Sequence, residues 1–327
     1  MPCAAILTFD GCYASSATGF ADILQVANSH LRRQDGGLDS YTWHFVSRAG
    51  GSITTSNGLS IQTRKISSRS RYDLVFIPSI HYAGGRAFDQ LLEREQAVSA
   101  WLVRQWRAGA WIAANCTGTF LLAQSRLLDR RTATTTWWLE RQFRERFPSV
   151  DLQPRPILTE AERLVCAGAQ ASYLLQAVRI IERFSGPLVS RQTARTMLID
   201  VSQNSQAAFL PLLAAREHND SLVSQAQQWL QNHMHREVRM SDMAQALCVS
   251  EKTIVRRFKA ALESTPLNYL QNLRLDAARM LLEQGDQNID QVAVQVGYLD
   301  VSSFSRLFRE RIGISPGSYR QRFAGGA

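Results

Sequence analysis

Residues 111–124 read WIAANCTGTFLLAQ. An apolar run that suits a buried strand ends at Asn115, a cysteine follows, and beyond Gly118 the residues favour a helix. Strand, sharp turn and helix, with glycine two residues past the tip, outline a nucleophile elbow at the end of a parallel sheet. The free N–H groups of a helix start favour a thiolate there, so the spacing suits chemistry at Cys116. It suits equally a small residue packed into a crowded corner, since free cysteines are commonly just buried.

Outward from this turn the pattern repeats. "CAAILTF" (3–9), "YTWHFVS" (41–47), "DLVFIPS" (73–79) and "RLVCAG" (163–168) are further short apolar runs bounded by polar residues or glycine. Between them lie helical patterns: "GFADILQVANSHLRR" (19–33), "FDQLLEREQAVSAWLVRQWRAG" (88–109, closed by Gly109) and "ASYLLQAVRIIERFSG" (171–186, stopped by Ser185-Gly186). Such alternation predicts an α/β fold with a doubly wound, mainly parallel sheet. A further helix follows Pro187. The polar stretch "DVSQNSQAAFLP" (200–211) then reads as a linker, and "REHND" (216–220) sets up a helix cap at Asp220 or Ser221. Past it nothing reads as a strand, and the tail is predicted to hold seven short helices.

Two segments of the tail share one design: "MSDMAQALCVSEKTIVRRFKAAL" (240–262) and "NIDQVAVQVGYLDVSSFSRLFRERIG" (288–313). Each has a short helix with a central alanine (Ala244, Ala293), a tight turn, a polar cap and a second helix with apolar residues four apart. Ile254 and Phe258 form the buried stripe of one, Phe304 and Phe308 that of the other. A small residue in the first helix lets the pair cross closely, as a helix-turn-helix requires. Lys252 and Arg256 then project from the opposite face, as do Ser302, Ser303 and Arg306 in the second motif. Arginine can reach guanine in a major groove and serine can bond base edges or phosphate. Taken singly, either face could be an ordinary solvated one; the long amphipathic segment "PLNYLQNLRLDAARMLLEQ" joining two of them favours duplex DNA as the partner.

Bulk properties set the frame. The 327 residues suit two domains. Net charge is +9, yet residues 1–218 carry 24 basic against 17 acidic side chains and residues 219–327 only 13 against 11, so the excess does not locate a DNA-binding surface. No apolar run reaches the roughly 18 residues of a membrane span, and "MPCAAILTFDGCY" has no basic leader, so a cytoplasmic protein without a signal peptide is expected. Five scattered cysteines without a CxxC pair argue against a disulfide framework or zinc site. In "HMH" (233–235) the two histidines of a helix would point apart. No metal or cofactor is expected.

The tail closely resembles the AraC/XylS regulators. "VSEKTIVRRFKAAL", "PLNYLQNLRLDAARMLL" and "VGYLDVSSFSRLFRERIGISPGSYR" carry the likeness, with Glu263 standing where glycine is common. The resemblance implies two helix-turn-helix units that place helices in successive major-groove segments. By position it makes Lys252, Val255 and Arg256, then Ser302, Ser303 and Arg306, the DNA-binding residues.

Residues 1–185 resemble the ThiJ/PfpI, class I amidotransferase-like superfamily, through "CTGTFLLAQSRLLDRRTATTTWW" and "GFADILQVAN", in the manner of the front half of GlxA-type regulators. A flavodoxin-like sheet is implied. Enzymes of this superfamily follow the cysteine with histidine or set an acid beside it, and draw backbone donors from a loop that is often Pro-Gly-Gly. Here Thr117 follows the cysteine, Ser16 aligns with the acid, the loop reads Pro78-Ser79-Ile80-His81, and Thr136 replaces a histidine before Trp137. Catalytic residues are therefore not expected. A ligand pocket at the strand ends, formed by Ser16, His81, Cys116, Thr117, Thr135 and Trp137, is expected to bind a small effector, an amine if Trp137 offers its face to a cation. The reading as a whole is a sensing and dimerising domain (1–185), a helix and linker (186–218) and a DNA-binding domain (219–327). They form an effector-responsive activator that works as a homodimer with promoter DNA and RNA polymerase. Two rival roles for Cys116 stay open: a hydrolase or hydratase nucleophile, and a redox sensor.

Overall fold

The computed structural model describes residues 2–35, 40–202, 205–209, 218, 220–285 and 287–324. The chain divides between Gln206 and Ala207 into two compact units.

The first unit is built on an eight-stranded sheet. Strands β1 (Cys3–Leu7), β2 (Thr42–Ser47), β3 (Gly51–Thr54), β4 (Ser60–Lys65), β5 (Leu74–Ile77) and β6 (Trp111–Asn115) precede two short strands that pair only with each other, β7 (Thr132–Ala133) and β8 (Asp151–Leu152). Then come β9 (Leu158–Ala161) and β10 (Leu164–Ala167), giving the order β3-β4-β2-β1-β5-β6-β10-β9. The six inner strands are parallel, while β3 and β9 close the edges antiparallel. The sheet is thus mainly parallel and doubly wound, as the alternating pattern predicts.

Side chains alternate across it. Ala5, Leu7, Val75, Ile77, Ile112 and Ala114 enter the core covered by α2 (Gly85–Arg94), α3 (Gln96–Arg107), α4 (Thr119–Gln124) and α5 (Glu140–Arg146). Ala4, Ile6, Leu74, Phe76, Ala113 and Val165 enter the other, under α1 (Ala14–Asp35) and α6 (Tyr173–Thr196). Inner strands buried on both faces must be apolar throughout, which is why these were legible as continuous runs.

Three features depart from the sequence reading. The segment 88–109 is two helices, α2 and α3, parted at Glu95 (φ −89°, ψ 6°). In one unbroken helix the stripe Val98, Trp101 and Leu102 would be rotated by about 100° from Phe88 and Leu92; the break lets both stripes face the core. The β3–β4 hairpin and β9 were not predicted, because strands at or next to a sheet edge, open to solvent on part of their surface, carry polar residues. In α6, by contrast, Gly186 leaves the helix (φ +78°) and Pro187 restarts it, as read. Part of the expected linker, residues 203–204 and 210–217, lies outside the described residues.

The second unit is helical: α7 (Ser221–His233), α8 (Met240–Ala246), α9 (Glu251–Leu262), α10 (Pro266–Gln284), α11 (Ile289–Gln295), α12 (Val301–Ile312) and α13 (Pro316–Phe323). Side-chain caps set the starts of all but α8. Asp220 accepts from the Val223 N–H, Ser250 from Thr253, Thr265 from Asn268, Asn288 from Gln291, Asp300 from Ser302 and Ser303, and Ser315 from Ser318. Each such cap contributes roughly 1 kcal/mol. Two cores result. One gathers Val223, Leu230, Met243, Ala244, Ile254, Phe258 and Leu270, the other Leu275, Ala278, Val292, Ala293, Phe304, Phe308 and Tyr319.

Candidate functional site

The cysteine turn is built as an elbow. Cys116 directly follows β6 in the left-handed region (φ +54°), a strained conformation for a side chain larger than glycine. Gly118 has an ordinary φ of −61°; glycine is needed because a Cβ there would collide with the Pro78 carbonyl oxygen. The tight fit against the loop after β5, not backbone sign, selects it.

The sulfur is buried, and burial pushes the Cys116 thiol up to about 11, against weaker support for the thiolate from the Thr117 N–H and the hydroxyls of Thr136, Thr117 and Ser79. The expected lowering by a helix start is therefore reversed: desolvation outweighs it. Thr136 is fully buried, and its hydroxyl finds no oxygen or nitrogen partner among the described residues. Of the groups that act on the sulfur, Thr117 is among the six residues proposed from sequence, while Thr136 and Ser79 are not.

Those six have distinct placements. Ser16 Oγ donates to the Tyr13 carbonyl (3.2 Å) and accepts the Ser79 N–H (3.2 Å). Thr117 Oγ1 accepts the Ile80 N–H (2.7 Å) and donates to the Ile80 carbonyl (2.8 Å). Thr135 Oγ1 donates to the Cys116 carbonyl (2.9 Å). These three hydroxyls brace the turn. Trp137 is half-buried and edge-on to exposed Trp138. His81 is exposed, its ring edge-on to Tyr13 at 5.7 Å, and it is not among the groups acting on the sulfur.

Two consequences bear on chemistry. The N–H groups of Ser79 and Ile80, the loop donors that would join the Thr117 N–H in holding an oxyanion, are already held by Ser16 and Thr117. Asn115, turned so that its nitrogen donates to Ser79 Oγ and to the Gln170 carbonyl (3.0 Å) and its oxygen accepts the Tyr173 N–H (3.1 Å), locks the same loop from beneath. Among the described residues no three His, Cys, Asp or Glu side chains gather to hold a metal; His233 of "HMH" instead stacks on Trp229 and its Nδ1–H donates to the Trp229 carbonyl (2.7 Å).

In the helical unit, Ile254 and Phe258 are buried while Lys252 and Arg256 are exposed and Val255 is half-buried. The second motif repeats this with Phe304 and Phe308 inward, Ser302 and Arg306 exposed and Ser303 half-buried. Arg257, one residue along, is excluded from the open face: its Nε donates to Asp220 (2.7 Å), tying α9 to the cap of α7. Asp300 binds the N–H groups of Ser302 (3.1 Å) and Ser303 (2.9 Å). Its carboxyl is held below its usual range by Ser303, by these N–H groups and by Arg306.

The turns differ. Val249 N–H bonds the Ala244 carbonyl and Tyr298 N–H the Ala293 carbonyl, each after a left-handed residue, Cys248 (φ +53°) or Gly297 (φ +92°). Ser250 caps directly after Val249, whereas Leu299 intervenes before Asp300 and is 88% exposed.

An elbow cysteine on a doubly wound sheet and paired helix-turn-helix motifs define a two-part architecture, and comparison with known proteins agrees. The DJ-1/PfpI family matches residues 4–170 and a helix-turn-helix domain matches residues 243–322. The chain belongs to the DJ-1/PfpI family, with a helix-turn-helix domain of AraC type behind it. It is 29% identical to the HTH-type transcriptional regulator CdhR of Pseudomonas aeruginosa, over 86% of this chain and 82% of that protein. It is 26% identical to the HTH-type transcriptional regulator GbdR of the same species, over 89% and 78%. Among solved structures, a putative transcriptional regulator protein from Vibrio parahaemolyticus superposes with a TM-score of 0.53 at 20% identity, covering 61% of this chain and 99% of that one. Drosophila melanogaster DJ-1beta does so at 0.50 and 16%, covering 61% and 98%. These last two speak to the fold of the first unit.

Proposed function

We propose that this protein is a sequence-specific regulator of transcription whose helical unit reads promoter DNA and whose α/β unit senses a small molecule without transforming it. The observation that carries the reading is the pair of recognition helices, α9 and α12, with matched inward stripes and matched open faces, in a chain similar over most of its length to transcriptional regulators. Lys252, Val255 and Arg256 read one half of the site; Ser302, Ser303 and Arg306 read the other. The test is DNase footprinting of the purified full chain on promoter fragments, its own upstream region included. A protected, sequence-specific site is expected, and indifference to every fragment would sink the reading.

Sensing at the cysteine turn is supported by its connection to the chain's exit. Gln206, the last residue of the first unit, is buried, and its Nε2 donates to the Thr135 carbonyl (3.1 Å) and the Pro154 carbonyl (2.8 Å). Thr135 in turn holds the Cys116 carbonyl. A ligand that displaces this wall moves the segment leading out of the unit, and it shifts an equilibrium only by binding one arrangement better than another. The effector is a small amine or amino-acid-like metabolite, and the protein acts as a cytoplasmic homodimeric activator that engages RNA polymerase.

Against catalysis at Cys116 stand a thiol raised to about 11 and the occupied N–H groups of Ser79 and Ile80. The full chain is expected to turn over no amide, isonitrile or glyoxal. Turnover abolished by Cys116→Ala would reinstate an enzyme, and sulfenic acid at Cys116 under mild peroxide, with altered DNA affinity, a redox sensor.

A further inference from the structure

The two cores of the helical unit share α10: Leu270 belongs to the first, Leu275 and Ala278 to the second. Arg274 stands at the divide. Its Nε donates to the Met234 carbonyl (2.7 Å) and its Nη2 to the Arg236 carbonyl (2.6 Å), both in the stretch after α7 that leads into the first motif. The same guanidinium lies 5.3 Å from the centre of the Tyr298 ring, in the turn that leads into α12. Beside it Gly297 passes so closely that a Cβ would run into both the Met234 carbonyl oxygen and the Arg274 guanidinium. One side chain of the shared helix therefore grips the support of the first motif and the turn of the second at once. A further tie across α10 runs from Arg311 Nη2 to Asn268 Oδ1 at 3.3 Å.

A planar fork fixed on two carbonyls, with a face on an aromatic ring, keeps little rotational freedom. Two reading helices must sit about one helical turn of DNA, roughly 34 Å, apart to read successive groove segments. A joint that pivots would accept half-sites at several separations; a rigid one accepts one. We propose that Arg274 is the positioning residue that fixes α9 and α12 relative to each other and so sets the half-site spacing the protein accepts. This rests on the DNA-reading function proposed above.

The experiment uses the full chain, a site selected by the wild type, and versions of that site with one base pair added to or removed from the spacer. Wild type is expected to bind the altered spacers about tenfold more weakly, comparable to the loss for a mismatched base pair. Arg274→Met is expected to bind all three alike, and Arg274→Lys, which keeps the charge without the fork, to fall between. Without DNA, spin labels carried on noncanonical residues at Gln245 and Gln295, exposed positions of α8 and α11, report the joint directly. A narrow distance distribution is expected for wild type and a broad one for Arg274→Met. A variant that keeps the wild-type spacing preference, loses affinity equally on every spacer, or keeps a narrow distribution overturns the proposal. If Arg274→Met does not fold, Tyr298→Leu, which removes the ring that the guanidinium faces and keeps an apolar side chain against Phe304, is judged by the same readouts. Should wild type select no DNA, the DNA-reading function falls, while the label distances still decide whether Arg274 holds the joint.

Discussion

At Glu263 a glutamate ends α9 in the left-handed region (φ +51°), where Gly313 (φ +90°) ends α12. A side chain there costs roughly 1 kcal/mol relative to glycine, so Glu263→Gly is expected to raise the free energy of unfolding by about that much, read as a higher urea midpoint at unchanged slope. The buried thiols give a pH signature. Cys12 and Cys116 are pushed up to about 11 and Cys166 to about 12, in each case by burial first. Folded, they stay protonated where the unfolded chain, with thiols near 9.0, has begun to ionise. Stability is then fully present below pH 9 and is lost as pH rises through about 11 for Cys12 and Cys116 and about 12 for Cys166. The melting temperature should fall across that window, and less steeply in Cys166→Ala than in wild type. Sequence placed Cys116 at the elbow but could not rank its neighbours: whether Thr135 or Thr136 meets the sulfur depends on one residue of register in a turn. The fates of the Ser16 and Thr117 hydroxyls are settled by a loop distant in sequence.

Among elements, the strand–turn–helix at 111–124 and the two reading helices carry the sharpest expectations. Gly118→Ala forces a methyl against the Pro78 carbonyl and is expected to cost roughly 1–3 kcal/mol, as overpacking does, measurable by thermal unfolding. Arg256→Ala and Arg306→Ala should each cost roughly 1–3 kcal/mol of specific binding and relax preference at the bases they touch. Quantitative gel shifts on sites varied at single positions check this, and unchanged preferences would remove those side chains from the reading face. The inner parallel strands other than β4, and the tail helices, were legible because their burial patterns are unambiguous: continuous apolar runs, and apolar pairs four apart such as Phe304 and Phe308. The β3–β4 hairpin was not, since "GSIT" and "SIQTRK" look like loop when only one face is covered. Nor was the division of α2 from α3, which follows from the phase of two apolar stripes against a sheet that sequence does not orient.

For the whole molecule, an effector should betray itself thermodynamically before it is identified chemically. A ligand at a hundred times its dissociation constant stabilises the state it binds by about 2.7 kcal/mol. A thermal-shift screen of amines and amino acids on the full chain is expected to find compounds that raise the melting temperature and change DNA affinity together. A stabiliser without effect on DNA would separate ligand binding from regulation. The two motifs are not copies: one presents Lys252 and Arg256, the other Ser302 and Arg306, and only the second carries the additional Leu299 in its turn. The address they recognise consequently has a head and a tail. Inverting that address within a promoter would turn the bound regulator end for end, presenting a different flank to whatever machinery waits downstream, even though every base contact was preserved.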